Sequence, residues 1–158
     1  MLKKDIEHIS DLSSESIYHK IDSLFTKPIN ISLTMANDTF LIQHMKNENT
    51  LTDDASFVKA ITDYLHAYKV KYDFDSVFLV STKTKRYYHF NGIDRTLTKD
   101  NPENTWYYEF LNSKDDYSIN IDNDEAKKNE ITVFINCKLK DDNKHTICLL
   151  YTSPSPRD

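Results

Sequence analysis

Trp106, Tyr107 and Tyr108 stand together in the run ENTWYYEFL, and a second aromatic pair, Tyr87-Tyr88, precedes His89-Phe90. Rings grouped in this way can wall a pocket, their faces confining a small ligand while indole and phenol groups orient it. The same residues also serve as ordinary core. Both readings are open for Trp106 and Tyr107, with the pocket favoured for Tyr107 because a hydroxyl suits a partly wet wall. Of Tyr87 and Tyr88 only one can face inward, since neighbours on a strand point to opposite sides. Asn136 lies within the apolar run ITVFINC, where a buried amide needs partners that either a ligand or the backbone can supply.

Other chemistry finds less support in the residue pattern. The 6 histidines are scattered without an HxxxH pair, and Cys137 has no CxxC partner, so no transition-metal site is expected. Asn120, Asp122 and Asp124 alternate like the start of a calcium loop. Yet Glu125 occupies the place that needs glycine, and Ile131 the place that needs a bidentate acid. With Gly92 as its 1 glycine, the chain has no phosphate-cradling loop, and no GxSxG elbow or paired catalytic carboxylate occurs. Neither catalysis nor a cofactor is expected. A net charge of −5 without a basic stripe argues against nucleic acid as a partner. At 158 residues, 39% hydrophobic and 12% aromatic, the chain can bury a genuine core.

The elements that position these residues follow from periodicity. In SVFLVSTKTKRYYHFNG, Val77, Leu79 and Ser81 alternate with Phe78, Val80 and Thr82, then Lys83-Thr84-Lys85 forms a polar hairpin loop into Arg86–Phe90. Apolar residues on both faces predict a strand covered on both sides. Ile131–Cys137 has the same two-sided character and suits a central strand, whereas Tyr117, Ile119 and Ile121 alternate with Ser118 and Asn120 as in a half-buried one. Upstream, Ile17, Ile21, Leu24, Pro28, Ile31 and Met35 recur at helical spacing, with Phe25 and Ile29 broadening the stripe and Ser13 or Ser14 as N-cap. Pro28 is expected to kink this long helix or split it near Lys27. A polar linker over 47–52 leads to a second helix from Asp53 or Asp54 to about Lys69, burying Phe57, Val58, Ile61, Tyr64, Leu65 and Tyr68. The fold class is therefore α+β, with a long N-terminal helix packed on an antiparallel sheet of about five strands and short crossing helices.

Four segments in order, SIYHKIDSLFTKPINISLTMANDTFLIQHM, FDSVFLVSTKTKRYYHFNG, TWYYEFLNSKDDYSINIDNDEA and NEITVFINCKLKDDNKHTI, resemble the membrane-distal part of a double Cache domain. These are PAS-like extracytoplasmic sensors of bacterial receptors, and the segments are most like those carried by diguanylate cyclases and chemotaxis receptors. The similarity runs from about Ser16 to Ile147. It implies a small-molecule ligand, a pocket on the sheet, and a long helix that passes the pocket's state across the membrane to an output domain. Family members that bind amino acids carry an arginine two residues before the Trp-Tyr pair, as a forked clamp for the ligand carboxylate. Here that position is Asn104, and Phe110 stands where a small residue is expected. Asp122 and Asp124 occupy a region where the family places an acid for a ligand amine, the other reading being a solvated turn. The helix stripe serves either as intramolecular core, the favoured reading, or as the seam of a homodimer.

Both ends depart from that pattern. MLKKDIEHIS is charged and nothing in the chain approaches about 18 consecutive apolar residues. Either a first span lies upstream of a misassigned start or the chain is a soluble fragment, and the resemblance implies membrane attachment through spans outside this chain. The final run CLLYTSPSPRD reads as the translation of a transposase-type sequencing adaptor, so Ile147 is expected to be the last native residue. The organisation that follows is a helical region over 1–50, a PAS-like subdomain over 51–147 whose last strand is cut, and a non-native tail over 148–158. Removing the tail, with its one Arg and one Asp, leaves the net charge unchanged.

Overall fold

The computed structural model describes residues 15–49, 53–124 and 130–155, with side chains over 24–49, 53–121 and 132–155. Helix α1 spans Glu15–Ala36, α2 Thr39–Lys46 and α3 Asp54–Lys71. Three strands follow, β1 Phe74–Ser81, β2 Arg86–His89 and β3 Gly92–Thr96, and then α4, Thr105–Asn112, entered through a 3-10 turn at Pro102–Asn104. Strands β4 Tyr117–Asp124, β5 Glu130–Lys140 and β6 Thr146–Pro154 complete one antiparallel sheet in the order β3-β2-β1-β6-β5-β4.

The predicted two-sided strands are central, as their patterning requires. On β1, Val77 and Leu79 pack under the helices with Phe57, Ile61 and Leu65, while Phe78 and Val80 pack on the opposite face with Tyr107 and Phe110. On β5, Ile135, Cys137 and Leu139 join the helical side. Burying each such Leu or Ile side chain contributes roughly 1.5–3 kcal/mol, which makes the double covering the main stabilising feature. β6 lies between β1 and β5, and Cys148–Ser153 are all buried within it.

The helices depart from expectation at one point. Pro28 does not divide α1, which runs unbroken to Ala36. Ser32 Oγ donates to the Pro28 carbonyl at 2.8 Å and lies 2.7 Å from Thr152 Oγ1 on β6, so the proline's turn is tied to the sheet. The break comes instead at Asn37-Asp38, where Asp38 caps α2 by accepting from the Phe40 N–H at 2.9 Å. Its other oxygen accepts from Tyr64 Oη at 2.9 Å, which joins the cap to α3. Asp53 caps α3 as anticipated, accepting from the Ser56 N–H at 3.1 Å. The proposed caps Ser13 and Ser14, and the side chains of Ile17 and Ile21, lie outside the described residues.

Among the described residues the sheet has six strands where about five were expected. The additional one, β3, is an edge strand whose residues beyond Gly92 are exposed, so it shows no hydrophobic alternation to detect. Gly92, with φ +134, makes the turn into it, a conformation that L side chains rarely adopt.

The segment after α2 holds a buried carboxylate that the linker reading missed. Glu48 is 1% exposed and accepts from Ser81 Oγ at 2.5 Å, from Thr84 Oγ1 at 3.0 Å and from Tyr88 Oη. Lys83 Nζ donates to its backbone carbonyl at 3.2 Å. These bonds join the end of α2 to the β1–β2 hairpin. A buried charge requires such partners, and removing the acceptor would strand the hydroxyls around it. Glu48→Ala is therefore expected to lower stability by about 2–4 kcal/mol and Glu48→Gln by about half as much, read from urea unfolding. An unchanged midpoint in Glu48→Ala would show that the network is not structural.

Candidate ligand-binding site

Strand alternation decides which aromatic residues meet. Tyr87 pairs with Val80 and Arg95, on the face away from the helices, whereas Tyr88 pairs with Leu79 on the helical face. Tyr87 therefore lines the cavity. Tyr88 does not: it is fully buried against Phe57 and bonded to Glu48. This settles the choice between the two tyrosines, which the sequence left open, and removes Tyr88 from the candidate site.

The cavity holds about 530 Å³ and is walled by Phe78, Tyr87, Trp106, Phe134 and Tyr151, with Ser76, Asn120, Ile121, Asn136 and Arg95 completing the lining. Tyr87, Phe78 and Tyr151, from β2, β1 and β6, form a row of nearly parallel rings with centroids 4.4 and 4.7 Å apart. Trp106 stands across this row at 80–88° to all three, with its centroid 4.8 Å from that of Tyr151. Edge-to-face packing of this kind satisfies the ring quadrupoles and leaves the wall rigid. The Arg95 guanidinium lies over the Tyr87 ring at 4.7 Å. Burial pushes the Tyr87 phenol above its ordinary range, with Arg95 opposing that shift.

Trp106 sits on α4 and reaches the cavity, but Tyr107 turns away. Tyr107 is fully buried beneath the helix, edge-on to Trp106 and Tyr108, with its hydroxyl unpartnered among the described residues. The expectation that it forms a pocket wall is corrected to a core role, because adjacent residues on a helix point about 100° apart. Phe110 is likewise core, edge-on to Tyr151. Asn104 is buried and donates through Nδ2 to the Thr98 carbonyl at 3.0 Å, so it braces the loop before α4 and takes no part in the lining.

Asn136 lies on the cavity side of β5, opposite Ser118 and Tyr151. Its Nδ2 donates to Ser118 Oγ at 3.2 Å, while Oδ1 has no partner among the described residues although the side chain is 1% exposed. An unpaired buried amide oxygen costs roughly 1–3 kcal/mol. Asp122 and Asp124 extend β4 and pair with Thr132 and Glu130 in the ladder. Their backbone is strand and not turn, and their side chains lie outside the described residues. Arg95 was missed in the sequence because its strand has no periodicity. Among the described residues no three His, Cys, Asp or Glu side chains converge as for a metal.

A second hollow of about 570 Å³ lies between α1 and the end of α3, lined by Lys27, Asn30, Thr34, Tyr68 and Tyr72 among others. It is a surface groove without the enclosing rings of the first.

No family model matches the sequence. Solved structures do match. The ligand-binding domain of the Campylobacter jejuni chemoreceptor Tlp3 in complex with L-valine superposes with a TM-score of 0.51 at 13% identity, over 95% of this chain and 57% of the other. The sensory domain of the same receptor with isoleucine bound gives 0.50 at 16% identity, over 95% and 56%. A further structure of that domain gives 0.52 at 13%, over 95% and 57%. The chain has the fold of these sensory domains. The chain spans somewhat more than half the length of each Tlp3 domain. No helix among the described residues is long and apolar enough to cross a membrane.

The opposed placement of the two tyrosines yields a direct contrast. Tyr88→Phe, which removes a bond to the buried Glu48, is expected to cost about 1–2 kcal/mol, whereas Tyr87→Phe stays within about 0.5 kcal/mol of the parent. Paired urea titrations check this, and equal losses would contradict the placement.

Proposed function

We propose that this chain is the ligand-sensing part of an extracytoplasmic receptor domain of a bacterial membrane protein. The observation that carries the proposal is the ring-walled cavity of about 530 Å³ on the sheet face away from the helices, with the Asn136 amide oxygen unpartnered beneath it. Interiors are normally close-packed, so an aromatic hollow of this size beside an unpaired polar atom is suited to a small molecule. The Cache-type fold supports the same reading, since the Tlp3 domains that share it are described with valine or isoleucine bound. No catalytic constellation is proposed for this chain.

Signalling in this scheme is a change of packing. Tyr87 touches the cavity and Tyr88, the next residue, is held by Glu48 at the end of α2. A ligand that shifts β2 therefore acts on both sheet faces, and its differential affinity for two packings sets how far the helices respond. In the full receptor the output is a diguanylate cyclase, or else a chemotaxis receptor or histidine kinase, reached through membrane spans outside this chain.

Two measurements test this. A thermal-shift screen with small polar metabolites is expected to return a ligand whose effect is lost in Trp106→Ala. No response, with dimerisation through α1 seen by light scattering, would favour a ligand-free structural module instead. Sequencing the source DNA across the Ile147 codon and upstream of Met1 is expected to reveal a continuing frame with membrane spans and an output domain. A genomic CLLYTSPSPRD followed by a stop, with no span upstream, would favour a soluble PAS-like interaction domain.

A further inference from the structure

The charge of the cavity points to the chemistry of its ligand, an inference that rests on the sensing role proposed above. Arg95 is the only charged side chain among the described lining residues, and the others are aromatic, amide, hydroxyl or aliphatic. It is placed there by the β2–β3 ladder, directly opposite Tyr87, and its guanidinium is held over that ring at 4.7 Å. Among the described residues its ion-pair partner is Asp94, on the same strand, at 2.6 Å from Nη1, with the arginine side chain 45% exposed. A guanidinium has five N–H donors in a rigid fork, so a single Nη1 contact leaves enough of them to grip a carboxylate. No described lining residue carries a carboxylate that would receive an ammonium group.

We propose that the cavity takes a small aromatic monocarboxylate lacking an ammonium group, and that Arg95 anchors its carboxylate. The aromatic body lies among Phe78, Tyr87, Trp106 and Phe134, where offset and edge-to-face contacts are available to a flat ring. The cation thus comes from β3, an edge strand, and not from the turn at Asn104 that braces the loop before α4.

Three probes with one common body separate the charge classes: phenylacetate, phenethylamine and L-phenylalanine, each titrated into the protein by calorimetry. Phenylacetate is expected to bind, phenethylamine not at all, and L-phenylalanine more weakly than phenylacetate. Arg95→Gln is expected to weaken phenylacetate binding by about tenfold or more, the loss of one charge-assisted pair. Asp94→Asn removes the competing anion and leaves the fold untouched, so it is expected to tighten binding several-fold. Stronger binding of phenethylamine or L-phenylalanine, or phenylacetate affinity unchanged in both variants, would overturn the proposal. So would no response to any of the three probes. In that last case, a library ligand whose effect is lost in Trp106→Ala would still leave the sensing role standing.

Discussion

The sheet is covered on both faces, and nearly every other feature depends on that constraint. A strand such as β1 must place apolar side chains at successive positions, Val77 and Leu79 toward the helices and Phe78 and Val80 toward α4. Neither set is stable in water without its cover. The helices α1 to α3 form one cover. The other is shorter, because α4 spans only Thr105–Asn112, and it closes over Tyr107 and Phe110 while leaving the sheet beyond Trp106 uncovered. The cavity is this unfilled part of the second layer.

Buried polar groups occur on both sides of the sheet. On the helical side Glu48 is satisfied by three hydroxyls and ties α2 to the hairpin, so its charge helps define one arrangement of helix and sheet. On the cavity side the Asn136 amide oxygen and the Tyr151 hydroxyl are buried without partners among the described residues. Thr62 Oγ1 on α3, Asn104 Oδ1 and Tyr107 Oη are likewise buried without partners among the described residues, so unpaired polar atoms occur away from the cavity as well. The adjacency of Tyr87 and Tyr88 links the two sides, since their side chains leave opposite faces of a single strand.

Arg95 illustrates how a site can be assembled from elements of unequal strength. Its strand is short, exposed and at the edge, and its register against β2 shifts between Tyr87 and Tyr88. Such an irregularity bends a strand and re-aims its side chains. Here it accompanies an arginine laid over the Tyr87 ring at the exposed rim of the ring row.

The sequence by itself determined the elements with strong periodicity. The two-sided runs of β1 and β5, the amphipathic stripe of α3 with its Asp53 cap, and the short aromatic helix all formed where pattern placed them, because burial on a given face requires a matching spacing of apolar residues. It also brought forward Trp106, Tyr87 and Asn136, since large rings and an amide inside apolar runs need an environment. Tertiary structure decided the rest. Periodicity cannot say which face of a two-sided strand meets helices, so Tyr87 and Tyr88 remained equivalent until the layers were placed. Local propensity allowed a kink or a split at Pro28, and the split does not occur, since α1 runs unbroken to Ala36. Glu48 and Arg95 left no signal at all, because a lone charge in a polar segment acquires its role only from distant residues that the fold brings within hydrogen-bond or ring contact.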